Sequence, residues 1–167
     1  MKEMRDTLLG RRRRAFLVCL ALTVGAGAAY AATTTNAPGA YCTATLGQSL
    51  TVRSDGEVEN SSPDDLIVLC PVERPDSSTT VSGTAFVVDR KSSSNICCNL
   101  VAKGTAGATI NGTSACSDGT SASTQTLALP QITDTMVGSS RFVQCTLPGL
   151  GFGESNPSRI QMYRTVQ

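Results

Sequence analysis

Two adjacent cysteines, Cys97 and Cys98, lie in a short apolar stretch that spans residues 95–101. Side chains alternate between the two faces of a β-strand, so Cys98 would share one face with Ile96 and Leu100, and Cys97 would point to the other face. The face with Ile96 and Leu100 is apolar and is predicted to face the core. The stretch therefore predicts a strand that sends one cysteine inward and the other toward a neighbouring strand or loop.

Residues 1–31 have the pattern of a secretory signal peptide, which is removed from the mature protein. Four arginines at 11–14 precede an apolar run, and small residues follow up to the Ala29-Tyr30-Ala31 sequence. The apolar run is shorter than the roughly 20 residues of a membrane span. Residues 13–17 also resemble the twin-arginine export signal, so both the Sec and the twin-arginine routes remain open. The sequence predicts a secreted or periplasmic protein with no membrane span.

The composition of the chain after residue 31 limits its partners. It has eight basic and eleven acidic residues, a net charge near −3, so nucleic acid is not an expected partner. Six of the seven cysteines remain, because Cys19 belongs to the signal. An even number in an exported chain without histidine favours disulfides over a zinc site. We expect no metal, no cofactor and a monomer.

Short apolar runs with a period of two follow one another from residue 41 onward, separated by Gly, Ser, Asp, Asn and Pro. This pattern predicts an all-β, antiparallel, jelly-roll-like β-sandwich of about eight or nine short strands, cross-linked by disulfides. Residues 32–40 lack bulk and period and are predicted to be a flexible leader to a single domain over 41–167. The predicted strands cover 41–46, 49–54, 58–61, 66–70, 79–90, 95–103, 124–129, 140–147 and 159–166.

Three further features of this pattern make local predictions. Asp55-Gly56 predicts a tight turn between two strands. The strand over 66–70 is apolar on both faces and is predicted to be central, and Pro71 and Pro130 are predicted to end the strands before them. Residues 104–123 are too poor in apolar side chains to order themselves by burial, and predict a mobile loop or edge hairpin that Cys116 restrains.

The six cysteines allow 15 disulfide connectivities. A bridge between Cys97 and Cys98 is disfavoured by ring strain, which leaves twelve. Strand parity places Cys97 and Cys116 outside the core and predicts that they pair. Parity places the other four in the core and leaves their pairing open; we favour Cys42 with Cys70 and Cys98 with Cys145.

The sequence contains, in order, Cys42, residues 56–61, residues 68–74, the strand at Cys98, residues 125–127, residues 142–148 and residues 160–164. Together these fragments resemble a family of small secreted proteins of Gram-negative bacteria, such as proteobacteria and myxobacteria. The resemblance implies a compact β-sandwich with disulfides between strands, and implies no activity. This chain departs from the four-cysteine pattern of the family by adding Cys97 and Cys116, which supports a bond between those two.

The absence of histidine excludes Ser-His-Asp and Cys-His nucleophile systems. Two carboxylates could still hydrolyse a glycosidic bond. Asp55, Glu57 and Glu59 near the predicted turn, or Asp64 and Asp65 in a loop, are available, although solvated turn acids are the favoured interpretation. Calcium would need carboxylates from loops, but there is no EF-hand-like loop to bring them together. The calcium candidates are Asp64, Asp65, Asp118 and Asp134.

Aromatic residues are scarce after the signal, and only two bear on binding. Phe86 is predicted to lie in the core. Phe152 lies on a glycine-rich loop, residues 149–153, and is a possible contact residue for a ligand. The favoured interpretation, however, is that its ring folds back over the open end of the sandwich.

The sequence thus predicts a non-enzymatic exported β-sandwich at or outside the cell surface. Its role would be structural, adhesive or ligand-binding, with a glycan or a protein as partner. The alternative is a histidine-free glycan hydrolase that uses two carboxylates.

Overall fold

The computed structural model describes residues 32–45, 47–75 and 78–167; the predicted signal peptide lies outside this part of the chain. In it we find twelve β-strands and one 3-10 helix, Gly39–Tyr41. None of the described segments forms a helix that is long and apolar enough to cross a membrane. In chain order the strands are β1 (Thr34–Pro38), β2 (Thr43–Ala44), β3 (Thr51–Val52), β4 (Val58–Glu59), β5 (Leu66–Val72), β6 (Thr80–Val88), β7 (Cys97–Lys103), β8 (Thr109–Asn111), β9 (Ala115–Cys116), β10 (Gln125–Thr133), β11 (Ser140–Leu147) and β12 (Arg159–Val166).

The strands form two six-stranded antiparallel sheets. The first sheet has the order β10-β6-β12-β4-β3, and β1 also pairs with β12. The second sheet has the order β2-β5-β11-β7-β8, and β9 also pairs with β7. The predicted antiparallel β-sandwich is therefore confirmed.

The stretch around Cys97 and Cys98 forms the strand β7, and the two faces of this strand differ as predicted. Ile96, Cys98 and Leu100 are fully buried between the sheets, whereas Cys97 is only partly buried. The same alternation in the other long strands supplies the rest of the core. Its largest fully buried side chains are Leu66, Ile96, Leu100, Leu147, Ile160, Val58, Val68, Val81, Val87, Val88, Val101 and Val143.

Three disulfides cross-link the fold, and their partners are those that the sequence analysis favours. Cys98 and Cys145 are opposite each other on β7 and β11, and Cys97 and Cys116 on β7 and β9. The third joins Cys42, just before β2, to Cys70 on β5. All three bonds thus join neighbouring strands of the second sheet. Disulfides at this density are typical of proteins that fold in an oxidising compartment, which supports export.

The prediction of a flexible leader over residues 32–40 is wrong. Thr34–Pro38 is the strand β1, which pairs in register with β12 from Thr34 opposite Val166 to Pro38 opposite Met162. Only Ala37 of this strand is buried, so the strand is held by backbone hydrogen bonds that its polar side chains do not reveal. The domain therefore includes these residues.

Neither Pro71 nor Pro130 ends its strand, contrary to prediction. Pro71 pairs with Phe142 of β11, and its carbonyl accepts a hydrogen bond from the Tyr163 hydroxyl at 2.6 Å. The N and O atoms of a strand residue point to the same side, so the missing N–H of Pro71 faces away from β11 and costs no ladder bond. Pro130 lies at a bulge of β10, which is an edge strand.

The strand β5 is less central than predicted. It lies between β11 and the two-residue strand β2, and Ile67 on its outer face is 38% exposed. Its continuous apolar run therefore does not require burial of both faces.

For residues 104–123 the sequence predicts either a mobile loop or an edge hairpin, and the structure shows an edge hairpin. β8 pairs with β7, and β9 follows it along the same strand. Gly107 makes the turn between β7 and β8 with φ +87°. Ser117 then donates a hydrogen bond to the buried carboxylate of Asp89, so the segment is ordered by a polar contact as well as by its disulfide.

Candidate functional site

A groove of mixed apolar and polar lining lies on the outer face of the first sheet. It has a volume of about 590 Å³ and lies across β6, β12 and β1, beside the turn between β3 and β4. We call it the sheet groove. It is lined by Asn36, Ala37, Pro38, Asp55, Glu57, Phe86, Thr124, Gln161 and Met162.

The floor of the sheet groove is apolar. Phe86 and Met162 are opposite each other on β6 and β12, and both are partly exposed. The guanidinium of Arg164 lies 5.6 Å from the centre of the Phe86 ring, and its Nε donates a 2.7 Å hydrogen bond to Asn36 Oδ1. The predicted burial of Phe86 in the core is wrong: the inward face of β6 is formed by Val81, Ala85 and Val87 instead.

The wall of the sheet groove is a chain of hydrogen bonds centred on Gln161. Its Nε2 donates to Glu57 Oε1 at 2.6 Å, and its Oε1 accepts from Thr124 Oγ1 at 2.6 Å. The other oxygen of Glu57 lies 2.6 Å from Arg159 Nε. These side chains are thus held in fixed positions beside the apolar floor.

The turn between β3 and β4 carries charges to the rim of the groove. Arg53 contacts Glu59 at 3.0 Å and Asp55 at 3.5 Å. The backbone N–H of Glu57 donates to Asp55, and this bond, together with the nearby Arg53, holds the pKa of the Asp55 carboxyl below its usual value. Gly56 has φ +87°, which confirms the predicted tight turn at Asp55-Gly56.

The candidate hydrolytic acids therefore differ in their position and in their exposure to solvent. Asp55, Glu57 and Glu59 come together around Arg53, and only Asp55 has a side chain that is mostly open to solvent. Asp65 accepts a hydrogen bond from the backbone N–H of Gly149 at 2.9 Å, so it fixes the loop after β11 instead of entering the groove.

Two buried aspartates tie the loops at opposite ends of the sandwich. At the end that we call the loop end, formed by residues 89–96, 117–124 and 148–158, Asp89 accepts hydrogen bonds from Ser117, Ser158 and the backbone of Ile96. At the other end, Asp134 pairs with Arg141.

The Asp134 site is an ion pair in which both side chains are fully buried. Arg141 Nε donates to Asp134 Oδ2 at 3.0 Å, and Ser139 Oγ donates to the same oxygen. Burial alone would raise the pKa of Asp134, but the bonds from Ser139 and Arg141 outweigh it and lower the pKa. Asp134, one of the predicted calcium ligands, is thus paired with Arg141 instead. Among the described residues, no three Asp, Glu or Cys side chains lie together as metal ligands would.

Phe152 projects from the loop end and is fully exposed. Its ring does not fold back over the sandwich, so the favoured interpretation is wrong. Whether it contacts a ligand stays a prediction.

The sequence contains no local signal for the sheet groove. Its side chains come from five separate segments, and Arg159 and Arg164 read as scattered surface charges.

The sequence matches no protein-family model and no curated protein. Its fold does match solved structures. A family two carbohydrate esterase from Cellvibrio japonicus is 11% identical with a TM-score of 0.42, over 81% of this chain and 33% of that one. An isomalto-dextranase from Arthrobacter globiformis T6, complexed with panose, is 12% identical with a TM-score of 0.50, over 79% of this chain and 23% of that one.

A third similar structure is the C-terminal CBM6 of LamC, a marine laminarinase from Zobellia galactanivorans. It is 13% identical with a TM-score of 0.41, and the match covers 81% of this chain and all of that one. The chain spans about a third of the esterase and about a quarter of the dextranase. At these identities the likeness to the dextranase shows a shared fold alone.

Proposed function

We propose that this protein is an exported, non-enzymatic module that binds a neutral glycan in the sheet groove. The observation that carries the proposal is the floor of Phe86 and Met162 beside the fixed polar wall of Glu57, Gln161 and Thr124. Small-molecule sites in proteins combine an apolar surface with a few placed polar groups in this way.

A sugar ring suits such a surface because it has both an apolar face and a rim of hydroxyls. The C–H groups of a pyranose face can lie against the negative face of an aromatic ring. The hydroxyls can then donate to and accept from amide and carboxylate groups at the edge. Because Gln161 is held from both sides, little side-chain entropy would be lost on binding.

The charges of the groove favour a neutral sugar. Arg159 lies against Glu57, and Arg53 lies against Asp55 and Glu59, so the acids of the wall have basic partners. The occurrence of a similar fold within an isomalto-dextranase complexed with panose adds support of a general kind.

The first experiment measures retention of residues 32–167 on an array of neutral oligosaccharides that includes panose, followed by calorimetry on those that bind. We expect Phe86→Ala to weaken binding about tenfold or more, since it removes the floor against which a ring would pack. Asn36→Ala, at an exposed position, should weaken binding without affecting folding.

Val137→Ala is the matched control, because Val137 is 91% exposed and lies outside the groove. It should bind as the wild type does. Retention of no oligosaccharide, or equal affinities for Phe86→Ala and Val137→Ala, would overturn the proposal.

The second experiment concerns the non-enzymatic part of the proposal. A glycoside hydrolase needs one carboxyl that can protonate the leaving oxygen and another that acts as base or nucleophile. One oxygen of Glu57 accepts a hydrogen bond from Gln161, and the other is in ion-pair contact with Arg159. We therefore expect no product release from polysaccharides or peptidoglycan over a day, by wild type or by Glu57→Gln. Turnover by the wild type that Glu57→Gln abolishes would favour the hydrolase instead.

A further inference from the structure

Beyond the sheet groove, we propose a second binding site at the loop end that takes a carboxylated sugar, with Phe152 as the stacking surface and Arg90 as the partner of the carboxylate. The site does not share a residue with the sheet groove. Four observations support it.

The first is that the turn which carries Phe152 is braced. The backbone N–H of Glu154 donates to the carbonyl of Gly151 at 3.0 Å, which closes a tight turn with Phe152 at its tip. The carboxylate of Glu154 in turn accepts from the Gly151 N–H at 2.6 Å and from Lys91 Nζ at 2.9 Å. The pKa of Glu154 is lowered by the bond from Lys91 and then by that from Gly151, so it stays ionised.

The second observation is that the two local glycines suit this arrangement of the turn and its ion pair. A Cβ on Gly151 would lie 2.5 Å from Lys91 Nζ and 2.7 Å from Glu154 Oε2, so a side chain there would displace the ion pair. Gly153 has φ +80°, a conformation that suits glycine at the third position of the turn. The chain thus holds a large aromatic ring fully in water, where burial would otherwise be favourable.

The third observation is a cleft of about 370 Å³ beside this turn, with Arg90 in its wall. The Nε atom of Arg90 is shielded from solvent and has no hydrogen-bond partner among the described residues. A buried donor without a partner costs free energy, so the protein itself does not fully satisfy this guanidinium. The Arg90 side chain is only partly buried and lines the cleft, where a ligand acceptor can meet it. The cleft is lined by Arg90, Thr120, Gly153, Glu154, Ser155 and Asn156.

The fourth observation is that the cleft stands on a rigid base. Asp89 precedes Arg90 and joins three loops through its bonds to Ser117, Ser158 and the Ile96 backbone. The backbone N–H of Arg90 also donates to Ser158 Oγ at 2.9 Å. The positions of the cleft walls are therefore fixed before any ligand binds.

The chemistry of the ligand follows from these groups. A planar guanidinium pairs best with a carboxylate or phosphate. Glu154 in the cleft wall is already paired with Lys91, and Arg90 makes no ion pair with any of the described residues, so an added anion has Arg90 as its partner. The adjacent ring favours a ligand that carries this anion on a flat, partly apolar body. A uronic acid residue of a polysaccharide has both features.

The experiment is a calorimetric titration of residues 32–167 with trigalacturonate, its fully methyl-esterified form and inorganic phosphate. We expect trigalacturonate to bind about tenfold or more tightly than the ester, which keeps the rings but removes the charges. Phe152→Ala and Arg90→Gln should each weaken binding of trigalacturonate by about tenfold, and Phe152→Ala should leave the melting temperature unchanged because the ring is fully exposed.

Phe86→Ala and Val137→Ala serve as controls, and both should bind trigalacturonate as the wild type does. The two proposals can therefore be tested separately: loss of neutral-glycan binding in the sheet groove would not affect binding of trigalacturonate at the loop end, and the reverse also holds. Equal affinity for the acid and its ester, an unchanged affinity of Phe152→Ala, or equally tight binding of inorganic phosphate would each overturn the assignment to a carboxylated sugar.

Discussion

Replacement of both Cys98 and Cys145 by alanine should lower the free energy of unfolding by about 5 kcal/mol, the largest effect we expect from any single bridge. The bond closes a loop of 47 residues, for which loss of loop-closure entropy alone predicts about 4 kcal/mol. Both sulfurs also lie in the core between the sheets, so their removal leaves a cavity beside well-packed neighbours. A domain of this size is stable by about 5–15 kcal/mol, so the variant should be close to unfolding.

The matched comparison is the Cys97→Ser, Cys116→Ser double variant. This bond closes 19 residues and is exposed at Cys116, so we expect a loss of about 3 kcal/mol or less, because no core packing is lost. The main effect of this double variant should be local: subtilisin should cleave it faster between residues 104 and 116. Urea denaturation of both variants tests the ranking. Equal destabilisation, or a fully protected segment in the second variant, would contradict it.

Replacement of Asp134 by asparagine should cost about 3–5 kcal/mol at neutral pH, because it leaves the fully buried guanidinium of Arg141 without a countercharge. Arg141 cannot escape this cost by losing its proton, since arginine stays charged in proteins. The surface pair of Arg53 and Asp55 supplies the control. Both of its side chains are about half exposed and screened by solvent, so Asp55→Asn should destabilise the fold far less than Asp134→Asn does.

The same carboxylate should make the fold sensitive to acid. The pKa of Asp134 is lower in the folded protein than in the unfolded chain, so its stabilisation is fully present above the unfolded pKa, near 3.8. It is lost as the pH falls from there through the lower folded pKa. Unfolding free energies of the wild type should therefore drop more steeply below about pH 4 than those of Asp134→Asn. Parallel pH profiles for the two proteins would show that the lowered pKa does not stabilise the fold.

The parts of the fold that the sequence predicts well are those where one face of a strand is apolar and the other is not. β11 and β12 have the predicted bounds, and the two faces of β7 follow from Ile96 and Leu100. The favoured disulfide partners rest on the same alternation. Here burial alone decides which way a side chain points, and burial can be read from a short window.

Prediction fails where the structure depends on distant partners. β1 is a strand because β12 offers it an unpaired edge, and nothing in its polar sequence shows that edge. The prediction places Phe86 on the inner face of β6, which is wrong, because apolar residues lie on both faces of this strand. The inner face takes the smaller ones, Ala85 and Val87, and leaves the ring outside. The residues of the sheet groove come from five segments that are distant in the sequence, and the order of strands in the sheet places them next to each other.

The pairing of β1 with β12 also fixes how this domain can be attached to anything else. Thr33 and Gln167 exchange backbone hydrogen bonds of 2.8 and 3.0 Å, so the two ends of the described domain lie side by side. They lie at the end of β12 opposite the loop that carries Phe152, which precedes the start of β12 at Arg159. Eight residues of strand separate the two ends by roughly 25 Å. A surface or a second domain joined at either terminus would hold the molecule by one pole and direct the Phe152 loop outward from the other.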